Sequence, residues 1–253
     1  MVTPNIAPHK VIAVASLKGG AGKTTISLLL GQGFGGHQVP AWVWTTDIDD
    51  EVPEGMEGRY CLWEDGRDGR LASGLRNLVD VRGVSIIDGG ANREELDRLF
   101  VQLADLVIIP TMMTRKDIHK TALYVQRFTA PDLPRQPEIL VLPNAWTDDE
   151  HGAERLRILR EALGDHAHRV LSPVMRMKAA GELDEDSVSY NYRVSRAGKE
   201  IASQVVGRMG WNFLDLRPPK ERKRRGAKAD AKPEAGGEHV DPNGFRQQAL
   251  GLT

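Results

Sequence analysis

The chain has 253 residues, of which 40% are hydrophobic and 27% charged, a composition ordinary for a globular protein with one large domain. No run of 18 apolar residues occurs, and residues 1–10 lack the pattern of a secretory signal, so we expect a cytoplasmic protein without a membrane span. A single cysteine, Cys61, excludes an internal disulfide and a cysteine-only metal site.

Charge is distributed unevenly along the chain. Residues 217–253 hold nine of the 34 basic and five of the 35 acidic residues, so they carry a net charge of +4 and residues 1–216 a net charge of −5. Few apolar residues follow Pro218 and Pro219, which predicts a folded domain over 1–216 and a disordered tail over 217–253. The tail is either a solvated extension or an electrostatic contact to DNA or another polyanion.

Short apolar runs alternate with amphipathic stretches before the tail. The predicted strands lie at 11–15, 39–46, 84–88, 106–109, 138–142 and 168–171. The predicted helices lie at 23–32, 71–79, 94–103, 118–128, 150–163 and 194–209. We expect Gly33, Gly35 and Gly36 to end the first helix, and residues 50–70 to form a loop or an irregular excursion. The alternation predicts the α/β class, with a mostly parallel sheet flanked by helices on both faces.

A glycine-rich segment joins the first predicted strand to the first predicted helix. It reads Leu17-Lys18-Gly19-Gly20-Ala21-Gly22-Lys23-Thr24-Thr25. In a phosphate-binding loop, glycines let backbone N–H groups approach phosphate oxygens, and the positive end of the helix dipole adds to the attraction. Lys23 would lie near the β- and γ-phosphates, Thr24 would bind Mg²⁺, and Thr25 would bind the α-phosphate side. The segment therefore predicts a P-loop nucleotide site.

Carboxylates follow two of the predicted strands. Asp47 and Asp49 come after the second strand, and Asp88 ends the strand at 84–88. In open α/β sheets, ligands bind at the carboxyl ends of the strands. Asp88 has the form of a Walker B residue, which holds Mg²⁺ directly or through water. Each carboxylate taken alone is equally a turn residue, and the neighbouring P-loop favours the metal site.

The loop departs from the general P-loop pattern, because Leu17 stands where that pattern has glycine and lysine follows at Lys18. This form resembles the deviant Walker A motif of the ParA/MinD family of ATPases, over about residues 10–210. The resemblance implies a weak ATPase that binds ATP and Mg²⁺ and forms an ATP-dependent sandwich homodimer. It also implies that Lys18 reaches across the dimer interface to the partner's nucleotide.

The resemblance also assigns roles to further residues. Lys18, Lys23 and Asp49 would be catalytic, with Asp49 orienting the attacking water and Asp47 supporting it near the metal. The family usually continues with a pair such as Pro-Gln, whereas Asp50-Glu51 follows here. Asn144, after the strand at 138–142, would contact the adenine, although Pro-Asn also favours a plain turn.

ATPases of the ParA kind bind DNA non-specifically as ATP dimers. The candidate contacts are basic residues of the last helix and of the tail: Arg193, Arg196, Lys199, Arg208, Arg222, Lys223, Arg224 and Arg225. Such residues are often only a solvated helix face. Residues 245–253 are too short and too weakly basic for the membrane helix of MinD-type members.

Two classes of function agree with these sequence features. The first is a nucleoid-associated DNA-segregation ATPase that moves plasmids, stimulated by DNA and by a ParB-like partner protein. The second is an accessory or positioning protein in which nucleotide controls assembly and turnover is negligible. Iron–sulfur carriers of the family need at least two cysteines, and a metabolic P-loop enzyme would not need Lys18.

Overall fold

The computed structural model describes residues 9–45, 61–64, 81–89, 103–130, 133, 136–147, 149–177 and 192–218. Its core is one six-stranded sheet in which every pair of neighbouring strands is parallel. The strands are β1 (His9–Val14), β2 (Ala41–Thr45), β3 (Cys61–Glu64), β4 (Gly83–Asp88), β5 (Leu106–Thr111) and β6 (Glu138–Pro143). Their order across the sheet is β3-β2-β4-β1-β5-β6.

Helices cover both faces of this sheet. They are α1 (Lys23–Gly36), α2 (Arg115–Phe128), α3 (Glu150–Leu163), α4 (Tyr192–Met209) and the short α5 (Phe213–Leu216). Because successive side chains of a strand point to opposite faces, Ile12 and Val14 pack with α1 and α4, whereas Ala13 packs with α2 and α3. The strands are therefore buried on both sides, and the predicted α/β class is confirmed.

The first helix continues through the glycines that we expected to end it. Gly33 lies against α4, where an added Cβ would collide with the Gly198 carbonyl, and a Cβ on Gly198 would lie 2.5 Å from the Leu29 carbonyl oxygen. The contact between the two backbones outweighs the low helix propensity of glycine. The prediction of an end at Gln32 was wrong, since α1 runs to Gly36.

Two other expectations are corrected. The region 50–70, predicted to be a loop, contains β3, which pairs with β2 at the edge of the sheet. The apolar residues of the four-residue β3 are too few to indicate a strand among the charged residues around them. The strand predicted at 168–171 is replaced by a 3-10 helix, Gly164–Arg169, followed by one isolated bridge between Val170 and Val141.

The helix predicted at 150–163 is confirmed with the same bounds as α3, whereas α2 and α4 start earlier than expected, at Arg115 and Tyr192. The predicted helix at 71–79, nearly all of that at 94–103, and tail residues 219–253 lie outside the described residues. Within the ranges that the structure describes, no helix combines the length and the apolar character needed to cross a bilayer.

Candidate nucleotide site

Because neighbouring strands are parallel, the carboxyl ends of all six strands lie at the same end of the sheet. There β1 lies between β4 and β5, and its last residue, Val14, pairs with Asp88 on one side and Ile108 on the other. The chain connections leave this point in opposite directions, which opens a crevice in sheets of this kind. The glycine-rich segment 15–22 lies at this position, between β1 and α1.

The start of α1 has the features of an anion site. Gly22 is its N-cap, with φ of 87° in the left-handed region, and no side chain caps the helix. The first turn also lacks an acidic residue, so the free N–H groups there and the helix dipole have no negative partner within the helix. Gly19 and Gly20 are exposed beside it. The geometry therefore suits a phosphate group.

Residues expected to bind nucleotide and metal surround this helix start. Lys23 is buried, whereas Thr24 and Thr25 are partly exposed. Asp88 is only 4% exposed, and its Oδ1 accepts a hydrogen bond of 3.2 Å from the Ser27 hydroxyl, one turn into α1. Mg²⁺ takes oxygen ligands such as carboxylates and hydroxyls, so Asp88 and Thr24, beside a phosphate site, fit the ion. Asp47 and Asp49 lie outside the described residues.

Asn144 supports the loop from the end of β6. Its Nδ2 donates a hydrogen bond of 3.2 Å to the Ala21 carbonyl, and its residue is 9% exposed. A Cβ at position 22 would collide with the same amide group, so Gly22 is required by this contact as well as by its positive φ. The structure thus brings Asn144 to the loop, and its expected contact with adenine stays a prediction.

Lys18 is paired within the chain. Its Nζ lies 2.6 Å from Oδ1 of Asp117, which is 4% exposed at the start of α2. The Thr114 hydroxyl donates to Asp117 Oδ2 at 2.6 Å, and the Asp117 N–H donates back to Thr114 as a helix cap. Burial opposes ionisation of Asp117, but the hydrogen bonds from Lys18 and Thr114 outweigh it and hold its pKa below the usual range.

Sequence reasoning missed Asp117. The spacing of Thr114 and Asp117 is the kind of pattern that marks a helix start, and it accounts for the cap. The same pattern gives no indication that Lys18 is the partner, because 99 residues of chain separate the two side chains and only the fold brings them together.

Four of the basic residues expected to contact DNA lie on α4, which packs against α1. Arg193, Arg196, Lys199 and Arg208 are all exposed, and the opposite side of α4 is buried. Arg196 pairs with Glu200 at 2.7 Å. Arg222, Lys223, Arg224 and Arg225 lie outside the described residues.

Comparisons with known proteins give a match in structure alone. No protein-family model and no curated protein matches the sequence. A ParA family ATPase from Chlorobium tepidum superposes with a TM-score of 0.62 at 12% identity, over 79% of this chain and 99% of that one. The ATP complex of a Cyanothece McdA variant gives 0.61 at 17% identity, over 81% and 97%. The chain has the fold of the ParA/MinD-type P-loop ATPases.

A third solved structure widens the range of activities that this fold carries. Cobyrinic acid a,c-diamide synthase from Mycobacterium smegmatis, with bound ADP and magnesium, gives a TM-score of 0.52 at 18% identity, over 79% of this chain and 94% of that one. All three structures share the α/β architecture that the sequence predicted for this chain. The choice of function depends on the residues of the site.

Proposed function

We propose that this chain is a Mg²⁺-dependent ATPase that acts as a nucleotide switch, forming an ATP-bound homodimer that binds DNA and drives DNA segregation. The observation that carries the proposal is the start of α1, an uncapped helix terminus behind left-handed Gly22, beside the buried carboxylate of Asp88. Lys23, the first residue of α1, adds positive charge at the same point.

Each residue of the site then has a role in phosphate chemistry. The backbone N–H groups of Gly19, Gly20, Ala21 and Gly22 bind the phosphates, Lys23 binds the β- and γ-phosphates, and Thr25 binds the α-phosphate side. Thr24, Asp88 and Asp47 hold Mg²⁺, which neutralises charge on the phosphates when bound. Asp49 orients water for in-line attack on the γ-phosphate. Catalysis is then mainly positioning and electrostatic stabilisation.

Lys18 has a second position in this proposal. Within one chain it pairs with Asp117, and in the ATP dimer it leaves that carboxylate for the partner's nucleotide. Support comes from its surroundings: the Lys18 side chain is 36% exposed and next to the exposed Gly19, so it can reach another molecule. The dimer therefore forms at the cost of the ion pair within the chain.

DNA binding is assigned to α4 and to the basic tail, 217–253. The helix holds four basic residues and one acidic residue, and the basic residues are exposed. A surface of this kind binds phosphates without reading sequence. We place the protein on the nucleoid in the cytoplasm, with a ParB-like partner that stimulates a slow ATPase, and we place the domain boundary after Leu216.

A second candidate is an accessory or positioning protein that binds nucleotide and turns over very little. The pair Asp50-Glu51 favours it, because these two acidic residues directly follow the carboxylate that would orient water. Added negative charge there repels the γ-phosphate and slows the attack. Release of inorganic phosphate, measured with and without DNA and with a cognate partner, separates the two candidates.

The nucleotide site is tested with Lys23→Ala and the control Lys116→Ala, which removes an exposed lysine from α2. Titration calorimetry with Mg-ATP should show binding by the parent and the control and none by Lys23→Ala. Tight binding of ATP by Lys23→Ala would contradict the P-loop assignment. Negligible turnover even with DNA and a cognate partner present would favour the second candidate.

A further inference from the structure

We infer that Asn144 positions the phosphate loop and thereby sets the affinity for the triphosphate, whichever base is attached. The inference rests on the proposed function, because it takes segment 15–22 to be a nucleotide site. It gives Asn144 a role that differs from the contact with adenine expected for an asparagine at this point of the sequence.

Both ends of the Asn144 amide are engaged within the chain. Its Nδ2 donates to the Ala21 carbonyl at 3.2 Å and lies 3.9 Å from the Met112 sulfur. Its Oδ1 accepts the Ala145 N–H at 2.8 Å. Only 9% of the residue is exposed, and the amide nitrogen and oxygen are both directed at atoms of the chain, so the observed contacts of Asn144 are with the loop and its surroundings.

The backbone around Asn144 holds this side chain in place. Its own N–H donates to the Thr111 carbonyl of β5 at 2.8 Å, and Trp146 N–H donates to the Val174 carbonyl at 2.9 Å. Ala145, between them, has a φ of 51°, a left-handed conformation that a residue with a Cβ seldom adopts. The end of β6 is thus fixed on both sides of the asparagine.

The contact with Ala21 has a direct consequence for phosphate binding. A trans peptide is planar, so the carbonyl of Ala21 and the N–H of Gly22 point in opposite directions. When Asn144 holds the carbonyl on its side of the loop, the Gly22 N–H is directed away from Asn144. A carbonyl turned toward the ligand would instead present a negative dipole to the phosphates. Asn144 is therefore a positioning residue for a phosphate-binding N–H group.

This role is tested by removing the donor and comparing three ligands that share a triphosphate. Mg-ATP, Mg-GTP and Mg-tripolyphosphate are titrated against the parent, Asn144→Ala and the nearly isosteric Asn144→Leu. The control is Asn212→Ala. Asn212 is exposed, and its side chain caps α5, not the phosphate loop. Folding of each variant is checked by circular dichroism, and Asn144→Ser replaces any Asn144 variant that does not fold.

The expected result is an equal loss of affinity for all three ligands in the Asn144 variants, about tenfold for one lost hydrogen bond. The ratio of ATP to GTP affinity should stay at the parent's value, and Asn212→Ala should bind as the parent does. A loss confined to ATP, with the ratio falling to one, would overturn the inference in favour of a base contact. Unchanged affinity for all three would also overturn it. A parent that binds none of them would overturn the proposed function itself.

Discussion

Lys18 and Asp117 are joined by an ion pair in which the lysine Nζ lies 2.6 Å from the carboxylate Oδ1. The carboxylate is 4% exposed, so it depends on this lysine and on Thr114 for compensation of its charge. Removing the lysine from a buried carboxylate is costly. The proposed exchange of Lys18 to a partner's nucleotide therefore competes with a contact that stabilises the single chain.

Asp117→Asn should tighten the proposed ATP dimer. An asparagine still accepts the hydrogen bond from Thr114, but it no longer holds the charge of Lys18. A partly exposed pair of this kind contributes about 1 kcal/mol after screening by solvent. Both chains of the dimer give up this pair, so the gain is about 2 kcal/mol and the dimer dissociation constant should fall about thirtyfold. Sedimentation velocity in ATP measures this constant.

The matched control for that variant is Glu154→Gln, which breaks an exposed ion pair with Arg157 on α3. It should leave the dimer constant unchanged. A weaker dimer for Asp117→Asn than for the parent would show that Asp117 supports the dimer instead of competing with it.

Neutralising the basic face of α4 should weaken DNA binding and make it less dependent on salt. The variant carries Arg193→Gln, Lys199→Gln and Arg208→Gln. Each phosphate contact that is lost should lower the slope of log K against log salt by about 0.9. The control, Arg155→Gln with Arg160→Gln, changes exposed basic residues of α3. Equal slopes for the two variants would remove α4 from the DNA surface.

Gly198→Ala should destabilise the fold through the contact between α1 and α4. The added Cβ would meet the Leu29 carbonyl oxygen at 2.5 Å, and overpacking of this kind costs about 1 to 3 kcal/mol. Gly207→Ala lies on the same helix with nothing within 4 Å of its Cβ, so it should stabilise by up to about 1 kcal/mol. Urea denaturation measures both. Equal stabilities would mean that the two helices can move apart freely.

His9 should make the fold less stable in mild acid. Burial lowers its pKa, and this effect exceeds the opposing influence of the hydrogen bond between Nδ1 and the Val81 carbonyl. As the pH falls below about 6.5, His9 becomes protonated in the unfolded chain and stays neutral in the folded chain until its lowered pKa is reached. The free energy of unfolding therefore falls as pH drops from that value toward the lowered pKa, by at most about 1.4 kcal/mol per unit.

The test compares denaturant unfolding at several pH values for the parent, His9→Asn and His151→Asn. His151 is exposed on α3, so its variant should keep the parent's dependence on pH. His9→Asn should show a shallower fall over the first pH unit below about 6.5. The same slope in His9→Asn as in the parent would assign the acid sensitivity to other groups.

The sequence was sufficient for the architecture and for the location of the loop. Continuous apolar runs such as 106–109 are long enough to mark strands buried on both faces, and the loop pattern depends on neighbouring residues only. Short or glycine-containing elements were predicted less well. The four-residue β3 at the sheet edge and the glycines inside α1 are fixed by contacts with other elements, which local patterns do not contain.

The same distinction applies to the site. Lys23, Thr24 and Asp88 lie at the helix start and strand end where their motifs place them. The contacts of Lys18 with Asp117 and of Asn144 with Ala21 join residues far apart in sequence, and they arise from the parallel pairing of β5 with β1 and β6. Pairings of this kind follow from topology and not from composition or spacing.

The central claim is a dimer that forms with ATP and depends on Lys18. It is tested by the molecular mass in solution of the parent with ATP, the parent with ADP, and Lys18→Ala with ATP. The proposal predicts a dimer, of twice 27.9 kDa, for the parent with ATP and a monomer in the other two samples. A mass that does not change with nucleotide, or a dimer that persists in Lys18→Ala, would contradict it.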